Sequence, residues 1–270
     1  MDTQEIWRSE LIMGIQQHFS RIAPQYRTLR TTDLEPIRSI QKRLTGLHHI
    51  IAADVGCGAG RYDIELFEYL GDALHLTCID QNESMLDELA RNLKGHKIEE
   101  FKTIKAPAEE LPLPADSLDS LLTFNAIHHF HLAGFLQEAG RVLKNQGLLF
   151  IYTRLRSQNE RNIWGRYFPQ FHHKERRLYE FNELQAMIQE TPPLALAATE
   201  NFSYKRTAEL TWLLRQAEGH HYSTFHLYDQ EEFAEALKGF REKLKRDFAD
   251  PDRITWDDEN IMLVVRKNPQ

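Results

Sequence analysis

From about residue 48 to residue 153, short apolar runs recur along the chain, with amphipathic helical stretches between most of them. The runs are HHIIAADV, ALHLTCID, EEFKTIKA, SLDSLLTFN and GLLFIYTR, spaced roughly 20–30 residues apart. A helix is predicted from Ala59 to about Leu70. Another is capped by Asn82, with Met85, Leu86, Leu89 and Leu93 inward, and a third runs through Phe135, Leu136, Ala139 and Val142. Further strands are expected around 195–203 and 260–267. This rhythm predicts an α/β fold, a doubly wound, mostly parallel, seven-stranded sheet with helices on both faces. Such sheets bind ligands at the carboxyl ends of their strands, where the strand order reverses.

The flanks read as covers. Residues 5–22 carry Leu11, Ile15, Phe19 and Ile22 at helical spacing and stop before Pro24. Asp33 is placed to cap a second helix with Ile37, Ile40 and Leu44 on its apolar face. Beyond residue 153, helical patterns occupy 178–190, 206–217 and 230–247. The last aligns Phe233, Leu237, Phe240 and Leu244 behind an Asp229/Glu232 capping box. The chain therefore reads as a single domain over 1–270, with an N-terminal helical cover (1–46), a ligand-binding core (47–153) and lid helices with the last strands (154–270).

With 41% apolar and 27% charged residues, the chain has the makings of a large core. Its net charge of −7 argues against non-specific nucleic-acid binding. The opening MDTQEIWRSE lacks the apolar stretch of a signal peptide, and no run is long enough to span a bilayer, so a cytoplasmic protein is expected. Cys57 and Cys78 form neither a disulfide framework nor a metal-ligand pair. The adjacent histidines at 128–131, 172–173 and 220–221 have no spacing that suits a metal ion, and none is expected.

ADVGCGAGRY follows the first strand, with glycines at 56, 58 and 60 and an acid, Asp54, just before them. The spacing is G-x-G-x-G, so a nicotinamide fingerprint, G-x-G-x-x-G, is one residue out of step, and no phosphate loop ending in G-K-S/T is present. Taken alone, the turn is equally a tight strand-to-helix connection. Asp80 ends the next strand 20 residues after Gly60, where an acid accepts two hydrogen bonds from a ribose diol.

With ADVGCGAG, CIDQNESML, AEELPLPADSLD and NAIHHF in this order, residues 48–153 resemble the class I S-adenosylmethionine-dependent methyltransferases. The likeness is nearest to the small-molecule group that includes the ubiquinone and menaquinone methyltransferases, methyltransferase type 11. The resemblance implies a Rossmann-like methyltransferase sheet and S-adenosyl-L-methionine as cofactor. Asp54 and the turn Gly56, Gly58 and Gly60 would face its methionine part, with no Cβ to collide with the ligand. Asp80 would hold the ribose, Gln81 and Met85 would flank the adenine, and Ala108 and Glu109 would lie by its edge. Asn125 would sit near the methionine amine, with Ala126 beside it. Pro107 departs from the family pattern, which often has an acid there, so Glu109 or backbone would serve the adenine amino group. Tyr26 and Arg30 match a segment that often closes over the cofactor, Arg30 pairing its carboxylate and Tyr26 shielding the sulfonium.

The implied reaction is in-line methyl transfer without a metal. His128, just past the fourth strand, is the candidate catalytic base. Residues 154–177 hold seven basic residues against two acidic ones, with Trp164, Tyr167, Phe168 and Phe171 among them. Arg154 and Trp164 are therefore candidate acceptor-binding residues, and the acceptor expected is a small molecule bearing an acidic group. The alternatives are a protein or RNA methyltransferase that uses the basic segment, and a cofactor-binding protein without catalysis.

Overall fold

The computed structural model describes Ser20, Ala23 and residues 31–269. Tyr26, Arg30 and, apart from Ser20, the helix expected over 5–22 lie outside the described residues. The described chain forms two compact units. A sheet unit comprises 31–153, 180–202 and 261–269, and a helical unit comprises 154–179 and 203–260.

In the sheet unit the chain runs α1 (Glu35–Leu44), β1 (Ile50–Val55), α2 (Arg61–Leu70), β2 (Leu74–Asp80), α3 (Glu83–Gly95), β3 (Phe101–Lys105), β4 (Leu118–Phe124), α4 (Leu132–Val142) and β5 (Leu143–Thr153). Helix α8 (Phe181–Gln189) and the 194–202 and 261–267 portions of β6 (Leu194–Ala208) and β7 (Ile254–Lys267) complete it. The seven strands lie in the order β3-β2-β1-β4-β5-β7-β6. The first five are mutually parallel, and β7 runs antiparallel to β5 from Ile261 opposite Thr153 to Arg266 opposite Leu148. Chain order reverses between β1 and β4, so the turn after β1 occupies the switch point.

Local chemistry explains these elements. In β1, Ala52, Ala53 and Val55 are buried, as befits a central strand covered on both faces. Ile37, Ile40 and Leu44 of α1 are buried as their spacing predicts. Asp33, however, does not cap α1. Leu34 occupies that position without a side-chain bond, and the buried Asp33 accepts a 3.2 Å hydrogen bond from the Tyr152 hydroxyl. Asn82 does cap α3, accepting from the Met85 amide at 3.2 Å.

The helical unit holds α5 (Arg156–Arg161), α6 (Ile163–Tyr167), α7 (Phe171–Lys174), α9 (Leu210–Glu218) and α10 (Gln230–Asp247). Its core is aromatic. Trp164 stacks on Phe240 at 5.1 Å between centroids, and Phe168, Phe171 and Phe225 meet edge to face or tilted. Asp229 and Glu232 form the predicted capping box on α10. The helix expected from residue 206 starts at Leu210 instead, because β6 continues to Ala208. Exposure along its last residues alternates with period two, the mark of a strand.

Candidate functional site

The turn after β1 is built by backbone bonds to β2. The amides of Gly56 and Cys57 both donate to the Ile79 carbonyl, at 2.8 and 3.2 Å. Gly56, Gly58 and Gly60 all have positive φ, at 72°, 55° and 77°, which L side chains rarely adopt. A Cβ on Gly56 would lie 2.5 Å from the Ala126 Cβ, and one on Gly60 would lie 2.9 Å from Leu89 Cγ. At these two positions bare backbone is required by the protein's own packing, whatever ligand the turn meets. The close neighbours of Gly56 and Gly60 are the protein's own loop after β4 and helix α3.

Asp80 closes the turn from the other side. Its Oδ2 accepts from the Gly58 amide at 3.0 Å and its Oδ1 from the Asn82 amide at 2.8 Å. Burial pushes its carboxyl up, while the amides of Asn82, Gly58 and Gln81 pull it back. One side chain therefore ties the glycine turn to the start of α3.

Beneath the turn lies a feature that sequence reasoning missed. Asp54 is 1% exposed and Asp63, on the first turn of α2, is 0% exposed. Asp54 Oδ1 and Asp63 Oδ2 accept from no N–H or hydroxyl group among the described residues. The Cys78 thiol approaches Asp63 Oδ1 at 3.6 Å. Burial, then the charges of Asp63 and Asp80, hold Asp54 well above the usual carboxylate range. Burial lifts Asp63 to about 7, although bonds from Cys78 and Asp54 oppose the rise. An acid in the first turn of a helix ordinarily reads as a solvated partner of the helix dipole, so the sequence offered no signal that Asp63 is interior.

The end of β4 completes the site. Asn125 adopts φ 53°, and its amide donates to the Tyr152 carbonyl at 2.7 Å. Ala126 then presses on Gly56. His128 follows on a single 3-10 turn, 127–129, its ring 4.0 Å from that of His129. His131 caps α4, with Nδ1 accepting from the Gly134 amide at 3.3 Å.

Residues 53–151 match the methyltransferase domain family. A ubiquinone/menaquinone biosynthesis C-methyltransferase of Brucella canis is 35% identical over 96 residues, covering 35% of this chain and 36% of that protein. Among solved structures, a Bacillus halodurans protein described as a methyltransferase superposes with a TM-score of 0.62 at 17% identity, over 86% of this chain and 98% of its own. The [4+2]-cyclase SpnF superposes with a TM-score of 0.58 at 16% identity, over 87% and 80%. These two likenesses show the fold alone. The chain spans about half the length of the first curated relatives it matches, 48% and 51%.

Within the sheet unit, the fold brings Asp54, the three glycines, Asp80, Gln81, Asn125, Ala126 and His128 to the carboxyl edges of β1, β2 and β4. Met85 is buried on α3 and Ala108 is buried in the loop after β3. Glu109 has a different task from the one expected. Its Oε1 accepts from the His131 amide, and its side chain packs 3.1 Å from where a Cβ on Gly134 would sit. It serves the start of α4.

Arg154 and Trp164 belong to the helical unit and do not present free binding groups there. The Arg154 guanidinium donates to Asp258 Oδ1 and to the Glu259 carbonyl, the latter at 3.2 Å. Asp258 is shared with Asn162 at 2.6 Å and Arg206 at 3.2 Å. Trp164 is 3% exposed, a core residue and not an acceptor wall. The basic excess of 154–177 is largely spent inside this unit. Arg161 pairs with Glu259, Lys174 with Glu232 and Arg177 with Glu175, at 2.8, 2.7 and 2.5 Å. Asp258, Glu259 and Glu232 lie outside 154–177, so a count within the segment misses them. No helix among the described residues is long and apolar enough to cross a membrane. Among them, no cluster of three His, Cys, Asp or Glu side chains is placed to hold a metal ion.

Proposed function

We propose that the protein is an S-adenosylmethionine-dependent methyltransferase acting on a small-molecule acceptor. The observation that carries this reading is Asp80, fixed at the switch point by the Gly58 and Asn82 amides. A carboxylate accepts about four hydrogen bonds, and the Gly58, Asn82 and Gln81 amides leave part of that capacity for a ribose diol. The buried Asp54 Oδ1 beneath the turn, which accepts from no N–H or hydroxyl among the described residues, fits a ligand that carries positive charge.

Bound S-adenosylmethionine would supply an electrophilic methyl group on a sulfonium. The chain's own part is to hold that ligand with Asp80 and the glycine turn and to set the end of β4 against it. For an acceptor that must lose a proton, His128 is the candidate base on the same edge. Tyr26 and Arg30 remain candidates to close over the methionine part, and Gln81, Met85 and Ala108 to border the adenine.

A small acceptor is supported by the name of the Brucella canis relative and by the four ion pairs that occupy Arg154, Arg161, Lys174 and Arg177. With those four charges paired, the segment offers a nucleic acid less positive field than its sequence suggests. The [4+2]-cyclase favours a second reading, because it has this fold and a different reaction in its name. Incubation with methyl-labelled S-adenosylmethionine and a fractionated metabolite extract separates the readings. Label on a small molecule is expected. Label on RNA or protein alone would transfer the activity to a macromolecule, and cofactor binding without label transfer in any fraction would favour the non-transferring alternative.

A further inference from the structure

The acids under the glycine turn carry more than a binding role. Asp54 on β1 and Asp63 on α2 are both sealed from solvent, and one oxygen of each accepts from no N–H or hydroxyl group among the described residues. Among the described residues, the titratable groups that act on them are Asp80 and Cys78 on β2 and Cys57 in the turn, none of them basic. Cys78 stands opposite Asp54 in the β1/β2 register, and its thiol points a weak hydrogen bond at Asp63. Three carboxyl groups thus crowd one end of the sheet with no cation among the described residues, an arrangement that keeps protons bound.

We infer that Asp54 and Asp63 form a proton store, and that docking of a cationic ligand at the glycine turn releases a proton from this pair to solvent. Asp63 is a positioning residue in this scheme, acting through Asp54. The inference rests on the proposed binding of S-adenosylmethionine, whose ammonium and sulfonium would bring positive charge to a low-dielectric site. The balance is simple. A carboxylic acid and a free cation become a carboxylate beside a bound cation, plus one proton in solvent. A nearby positive charge favours the ionised acid, so binding tightens as pH rises through the neutral range. If a full proton is released, affinity changes by about tenfold per pH unit below the pKa of the pair. S-adenosylhomocysteine lacks the sulfonium charge and should expel less.

The test is calorimetry of the full chain with S-adenosylmethionine near pH 6.5, in two buffers of different ionisation enthalpy. The ligand's own amine titrates near pH 8, so the informative quantity is the difference between wild type and Asp63→Asn. Net proton release in wild type, smaller with S-adenosylhomocysteine and reduced in the variant, is expected. Binding with the same proton count in both proteins would overturn the store while leaving the proposed cofactor intact. Failure of the wild type to bind at all would overturn the cofactor reading itself. Should Asp63→Asn fail to fold, infrared difference spectra of the wild type decide the matter. Loss of a protonated-carboxyl band on ligand addition supports the store, and an unchanged band overturns it.

Discussion

The sheet unit and the helical unit treat buried acid in opposite ways. In the sheet unit, Asp54 and Asp63 are interior, and the groups that act on them are other acids and thiols. In the helical unit, Glu175 is 3% exposed and gripped by Arg177 at 2.5 and 2.9 Å, by the Thr224 hydroxyl at 2.6 Å and by a backbone amide. Burial pushes Glu175 upward, but the Arg177 guanidinium and the Thr224 hydroxyl overcome it and hold the carboxyl below its usual value. The contrast teaches where charge is structural and where it is kept in reserve. A paired acid has nothing left for a ligand, whereas an acid held without a cation waits for one.

The two arrangements also respond to pH with opposite sign. A carboxyl raised on folding, as at Asp63, contributes stability that is present below its unfolded value and lost as pH rises through about 7. A carboxyl lowered on folding, as at Glu175, contributes stability that is lost as pH falls through its folded value.

The comparison breaks most sharply if Glu175 is made to resemble the acids of the sheet unit. Arg177→Ala leaves that carboxylate buried with only Thr224 and one amide. The expected loss is about 3 kcal/mol, read from the urea unfolding curve at pH 7. Adding Glu175→Gln should restore much of it. A loss below about 1 kcal/mol would mean the pair is not the structural element described here.

A smaller effect is expected in the glycine turn. Gly56→Ala combines a positive φ with a Cβ that meets Ala126 and the Phe130 ring. The two together should cost about 2 kcal/mol in the same assay and weaken ligand binding as the end of β4 is pushed away. Unchanged stability would mean that the close approach of Gly56 and Ala126 does not hold the turn.

How much of this was legible depended on whether a residue's partner was local. Asn82, the capping box of Asp229 and Glu232, and the inward faces of α1, α3 and α4 follow from spacing alone, because their geometry repeats within a turn or two. Asp80 was legible because it ends a strand at a fixed distance from the glycines. Asp63 was not, since nothing within α2 says that Cys78 and Asp54 stand above it. Arg154 was misread for the same reason. Its partner, Asp258, lies 104 residues away, and acids from outside the segment offset part of the positive charge that its sequence shows. Glu109 and Trp164 failed alike, one taken up by the start of α4 and the other by an aromatic core assembled from distant helices.

The central claim is that the edge formed by β1, β2 and β4 binds S-adenosylmethionine through Asp80. Titration calorimetry of the wild type and of Asp80→Ala tests it most directly. Hydrogen bonds to a charged acceptor contribute about 1.5–3 kcal/mol each, so the variant should bind at least about tenfold more weakly while unfolding at a similar urea concentration. Equal affinity in a folded Asp80→Ala protein, or no binding by the wild type, would contradict the account.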